Sequence, residues 1–137
     1  MKIITIDEKT KSPLELMQAQ GYLWKAPEEI EAAAKGVKLW HLIGWHDSSR
    51  FGFYKKKKAV TIELCKVEKL SINYMTRAKG MGWVALEVEY KGKGGVLPIL
   101  ESKIYKNEAL DWFKEKIDLL QEATGLEIEV NNYGPDC

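Results

Sequence analysis

The segment Trp83-Val84-Ala85-Leu86-Glu87-Val88-Glu89-Tyr90 sets Val84, Leu86, Val88 and Tyr90 on one side of an extended chain and Glu87 and Glu89 on the other. Successive side chains of a strand point to opposite faces, so this run predicts a strand with one face in a core and the other in water. Runs rich in β-branched and aromatic residues recur from Val37 to about Leu100, broken by glycines and charged turns. They predict strands near 37–45, 50–55, 59–65, 67–75, 82–90 and 95–100. Lys91-Gly92-Lys93-Gly94-Gly95 carries the residues that left-handed hairpin positions demand. Pro98 lacks an amide donor, which puts the strand around it at an edge or a bulge.

Beyond that region the period changes. Leu110, Phe113, Ile117 and Leu120 recur at spacings of three and four, flanked by Ala109 and Trp112, and predict an amphipathic helix over 107–123. Asn107 is its expected cap, Glu108 and Asp111 sit in its positive first turn, and Gly125 follows its end. Leu126-Glu127-Ile128-Glu129-Val130 alternates once more and predicts a last strand over 126–130; the N-terminal strand is one partner open to it, though no residue fixes that pairing. The tail from Asn131 to Cys137 reads as loose.

The first 36 residues predict a short strand, Met1 to Ile6, and two short helices. Ser12-Pro13-Leu14-Glu15 is a helix start, with a capping hydroxyl, a proline suited to the first helical position and a glutamate that completes a capping box. Gly21 closes that helix; a second starts at Pro27, carries Glu28 and Glu29 at its positive end and stops at Gly36. The expected fold class is therefore α+β: a curved antiparallel sheet or partly open barrel over 37–100, capped by the C-terminal amphipathic helix and preceded by short N-terminal helices. No repeat or low-complexity linker divides the chain, so 1–137 reads as a single domain.

With 45% apolar residues and five tryptophans, 137 residues suffice to build a core without disulfides or metal. The longest uncharged apolar stretch, Leu39 to Trp45, is far short of the roughly 20 residues of a membrane helix, so no transmembrane segment is expected. The N-terminus lacks a secretory leader, which points to the cytoplasm. Abundant Lys and Glu beside few Asn and Gln is the balance of heat-adapted proteins. Cys65 and Cys137, the two cysteines, form no metal-binding spacing, and neither a structural metal nor a cofactor is expected.

Arg50-Phe51-Gly52-Phe53-Tyr54, the run from Val60 to Leu70, and the glycine-rich hairpin followed by a helix together resemble the pleckstrin-homology-like superfold, in its short bacterial and archaeal members. The likeness is best from Arg50 to Leu120. It implies a noncatalytic binding scaffold whose ligands, across that superfold, range from phosphoinositide headgroups to peptides.

Charge is unevenly distributed. Between Arg50 and Lys93 eleven basic residues face four acidic ones, a local balance of +7 in a chain whose net charge is +1. Three basic turns stand out: Lys55, Lys56, Lys57 and Lys58; Arg77 and Lys79; Lys91 and Lys93. Brought to one end of a sheet, they would form a cationic rim for phosphate on a lipid headgroup or a nucleic-acid backbone. Phe51, Phe53, Tyr54 and Tyr74 lie near those charges and would stack on bases if exposed. The competing reading makes the lysines solvated turn residues that protect strand edges, with the aromatics facing inward.

His41 and His46 are the whole histidine complement. Five apart on a regular strand they face opposite sides and cannot share a metal. P-loop, dinucleotide, nucleophile-elbow and HExxH signatures are all missing from the sequence. Three functional classes follow. The leading one is a noncatalytic module that recognises an anionic ligand or a protein partner through a basic sheet end, with a homodimer through edge strands and surplus tryptophans as its competitor. The second is a nucleic-acid-binding protein using the same basic surface. The third is a small enzyme around His41, His46 and Asp47.

Overall fold

A computed structural model describes residues 4–6, 22–25, 43–46, 49–55 and 58–136. They form two sheets and a helical pair. The first sheet has five strands, β1 (Ile4–Ile6), β2 (Tyr22–Lys25), β3 (Ile43–His46), β4 (Arg50–Lys55) and β5 (Lys58–Glu63), in the order β1-β5-β4-β3-β2 and antiparallel throughout. The second has four, β6 (Val67–Thr76), β7 (Trp83–Tyr90), β8 (Leu97–Ser102) and β9 (Ile128–Pro135), in the order β8-β7-β6-β9. A 3-10 turn, Leu64–Lys66, leads from one sheet into the other.

Mixed helix and strand content is thus as expected, with two sheets that do not close into a barrel. The helices expected over 12–21 and 27–36 lie outside the described residues. Tyr22–Lys25, between them, is a strand that the sequence reading did not include, so the N-terminal third supplies two strands of the first sheet.

β6, β7 and β8 form an antiparallel meander, and Pro98 sits where its chemistry requires. β8 is an edge strand, and its register with β7 shifts between Leu86 and Glu87, opposite Leu100 and Pro98. The chain then crosses to the other edge through α1 (Asn107–Glu115) and α2 (Ile117–Thr124). The single helix expected over 107–123 is two segments, interrupted at Lys116. Asn107 is the first helical residue and not the cap: Lys106 holds the extended cap position, and the Asn107 side chain accepts a hydrogen bond from the Tyr105 hydroxyl at 2.9 Å. Gly125, at φ +70°, stops α2 as expected.

The exit from α2 delivers β9. Thr124 returns its hydroxyl to the Leu120 carbonyl and accepts from the Leu126 amide, while the Gln121 side chain accepts from the Ile128 amide at 3.1 Å. β9 therefore pairs in parallel with β6, Leu70 opposite Ile128 and Asn73 opposite Asn131, and not with the N-terminal strand, which pairs with β5. A parallel neighbour needs a crossover, and the helical pair supplies it.

One face of the four-stranded sheet is the core. Val84, Leu86, Val88 and Tyr90 of β7 pack with Leu70 and Ile72 of β6 and with Ala109, Leu110, Trp112, Phe113 and Leu120 of the helices. Phe51 and Ile62, opposite each other in β4 and β5, join the same cluster, so both sheets share one interior. Each Val, Leu, Ile or Phe side chain among them contributes about 1.5–3 kcal/mol on full burial.

Candidate functional site

Topology parts Lys91 and Lys93 from the other two basic turns. Arg77 and Lys79 are exposed in the connection from β6 to β7, and Lys91 and Lys93 are exposed in the connection from β7 to β8. The eight residues of β7 stand between them, which at about 3.3 Å per residue is roughly 25 Å. That exceeds a Debye length of about 8 Å, so the two turns act as separate patches and not as one rim. Lys55 and Lys58 face each other as the last register pair of the β4–β5 ladder, at the end of β5 away from the 3-10 turn; Lys56 and Lys57 lie outside the described residues. The Lys91 amide, by contrast, donates to the Lys66 carbonyl within that 3-10 turn.

The connection bearing Arg77 and Lys79 is fixed by a residue the sequence reading left in a loose tail. Asp136 continues β9, its amide bonded to the Thr76 carbonyl at 3.0 Å. Its carboxylate accepts from the amides of Ala78 (2.7 Å), Gly80 (3.2 Å) and Gly82 (2.7 Å). Partial burial opposes the charge, but the three amides and the nearby Arg77 outweigh it and hold the carboxyl below the usual Asp range. Two glycines leave room for this contact, and at Gly82 the backbone itself requires one. A side chain at Gly80 would collide with this carboxylate, and Gly82 combines φ +65° with the backbone carbonyl of Met75 where a Cβ would sit.

The outer face of the four-stranded sheet is graded along its length. At one end Lys69 reaches Glu129 at 3.3 Å and Glu89 at 4.0 Å. In the middle the Asn131 carboxamide donates to Asn73 at 2.8 Å, and Asn73 in turn donates to Glu87 at 2.5 Å and to the Ser71 hydroxyl at 3.0 Å. Asn73 is buried, and this network employs both its amide protons and its carbonyl. At the other end, beside Arg77 and Lys79, the rings of Trp83 and Tyr133 lie 6.2 Å apart; Tyr133 is 59% exposed and Met81 48%.

The β7–β8 connection is of another kind. Lys91 through Pro98 are eight consecutive exposed residues. Gly92 and Gly95 take φ of +75° and +85°, as the hairpin reading required, and a Cβ built on Gly92, Gly94 or Gly95 meets no atom within 4 Å. The glycine-rich tip of this finger therefore meets no neighbour at those positions, while its base is held by the Lys91–Lys66 bond and its last two residues, Leu97 and Pro98, pair with Val88 and Glu87 as the start of β8. Val96 and Leu97 on it are 45% and 44% exposed.

The stacking candidates fare unevenly. Phe51 is fully buried in the core and unavailable to a base, and Tyr74 stacks on Tyr105 at 5.8 Å at the edge of the core. Trp83 and Tyr133, not singled out for stacking in the sequence, form an aromatic pair beside a basic turn. His46 is half-buried in β3 opposite Phe51; His41 and Asp47 lie outside the described residues. Among the described residues no three His, Cys, Asp or Glu side chains are grouped to hold a metal ion, and no helix is long and apolar enough to cross a membrane.

These elements define an α+β chain that presents two separate cationic turns at opposite ends of its four-stranded sheet. Comparison with family models matches residues 18–133, and the chain belongs to the PM0294 C-terminal domain family. No curated protein and no solved structure matches it.

Proposed function

We propose that this chain is a noncatalytic binding module, working in the cytoplasm, that recognises an anionic ligand through the finger from Lys91 to Pro98. The observation that carries this reading is the combination of two lysines with no acidic residue in an eight-residue exposed run whose glycines, Gly92, Gly94 and Gly95, have open space around them. A field acts locally, so an isolated +2 tip attracts anions even in a chain that is nearly neutral overall. Exchanging Lys91 and Lys93 for Glu tests it by retention on an anionic column in near-physiological salt. The reading expects that pair to shorten retention more than Arg77→Glu with Lys79→Glu does; equal or greater loss from the second pair contradicts it.

The Trp83–Tyr133 pair favours a second reading, binding of single-stranded nucleic acid across the β6–β7 end. Bases stack on exposed rings, and Arg77 and Lys79 would meet the phosphates. This reading predicts affinity for an oligonucleotide that falls steeply with salt and is lost in Tyr133→Ala. A homodimer along the edge of β9 is the remaining member of the binding class. The Asn132 carboxamide accepts from the Gly134 amide at 2.7 Å, which withdraws one donor from that edge and opposes such pairing.

A further inference from the structure

We propose that the finger from Lys91 to Leu97 docks on an anionic lipid surface, with Val96 and Leu97 seated at the headgroup boundary and Lys91 and Lys93 on the lipid phosphates. The proposal rests on the reading of the finger as the anion-binding surface and names its ligand. Charge alone would suit any anion; the two adjacent aliphatic side chains narrow the choice. They are nearly half exposed and adjacent, on a tip otherwise built of Gly, Lys and Pro, so hydrocarbon and positive charge share one short stretch. A headgroup layer is the environment that offers anionic phosphates and hydrocarbon within the length of one side chain.

The other anionic partners fit less well. No ring lies between Lys91 and Pro98, so the finger offers a nucleic acid phosphate contacts and no stacking. Stable protein interfaces engage roughly 20–30 residues on each side, and this tip has eight exposed ones. Lys66, whose carbonyl holds the base of the finger, is itself tied to Glu63 at 2.8 Å. Its charge is therefore compensated, and the attraction belongs to Lys91 and Lys93. Two lysines and two aliphatic side chains give a weak, reversible association that grows with the density of anionic lipid.

The test is co-sedimentation of the full chain with vesicles of phosphatidylcholine containing phosphatidylserine, against pure phosphatidylcholine vesicles and against binding of inorganic polyphosphate in solution. Partitioning is expected only with phosphatidylserine. Loss of each lysine by Lys→Gln should lower it about fivefold, and Val96→Ser with Leu97→Ser about tenfold, both with unchanged circular dichroism. Lys91, Lys93 and Val96 lie in the exposed connection and Leu97 is the exposed first residue of β8, opposite Val88, so the Val96→Ser variant alone repeats the test without touching the ladder. Polyphosphate binding that needs Lys91 and Lys93, without vesicle binding, overturns the lipid assignment and leaves the anion-binding reading standing. No lysine-dependent binding of either probe overturns both. Vesicle binding indifferent to the Val96 and Leu97 exchanges overturns the insertion.

Discussion

The Asp136 carboxylate and the Gly82 amide, 54 residues apart in sequence, meet in a 2.7 Å hydrogen bond that ties the end of β9 to the β6–β7 connection. Two further amides of the same connection converge on that carboxylate, so its charge orders the turn. Asp136→Asn keeps the shape, replaces one acceptor oxygen by a donor and removes the charge. Amide exchange at Ala78, Gly80 and Gly82 is expected to accelerate strongly while the amides of β7 keep their protection.

The same contact carries a pH dependence whose sign follows from its depressed pKa. The folded carboxyl titrates below the 3.8 of a free Asp side chain, so its stabilising effect is complete above that value and is lost as the pH falls through the lower folded value. The Gly82 amide resonance, followed on acidification, should move with a midpoint under 3.8 in the wild type and stay still in Asp136→Asn.

Two glycines with similar backbone angles should respond differently to alanine. Gly82 has the Met75 carbonyl where a Cβ would sit, whereas Gly92 has open space. Gly92→Ala should cost only the left-handed backbone penalty, about 1–2 kcal/mol. Gly82→Ala should cost more than that, since the turn must also move. Urea unfolding of the two variants gives the comparison directly.

The helix face is tested by Phe113 and Leu119. Phe113 is almost wholly buried in the shared core and Leu119 is 42% exposed. Phe113→Ala should lose about 3–5 kcal/mol and Leu119→Ala less than about 1 kcal/mol, read from denaturant midpoints at constant slope.

In the outer network, Asn131→Ala leaves the buried Asn73 carbonyl without its 2.8 Å donor. An unsatisfied buried acceptor costs about 1–3 kcal/mol, so thermal unfolding should shift downward although no apolar contact is lost.

What was legible in the sequence was what depends on neighbours along the chain. The alternation in 83–90, the edge position of Pro98, the positive φ at Gly92 and the stop at Gly125 all came from local pattern, and each is realised. The stripe of Leu110, Phe113 and Leu120 is buried as its spacing required, with Ile117 at the margin. The break at Lys116 left no mark in that spacing, since both segments keep the same face inward.

What failed depended on topology. The sequence left open whether the three basic turns share one rim, and consecutive hairpin turns lie at alternate ends of a meander, which parts Arg77 and Lys79 from Lys91 and Lys93. The tail from Asn131 onward lacks a strong apolar pattern because β9 is an edge strand held by Asn73, Asn131 and Asp136 through polar contacts. Its partners are some 58 residues away, beyond any local signal.

The most direct measurement of the central claim is a backbone-amide NMR titration of the chain with a short inorganic polyphosphate in near-physiological salt. The account predicts saturable shifts confined to residues 91–97 and the adjoining Lys66, with the 77–82 connection silent. Shifts centred on Arg77 to Trp83 and Tyr133, or spread evenly over all basic turns, would contradict it.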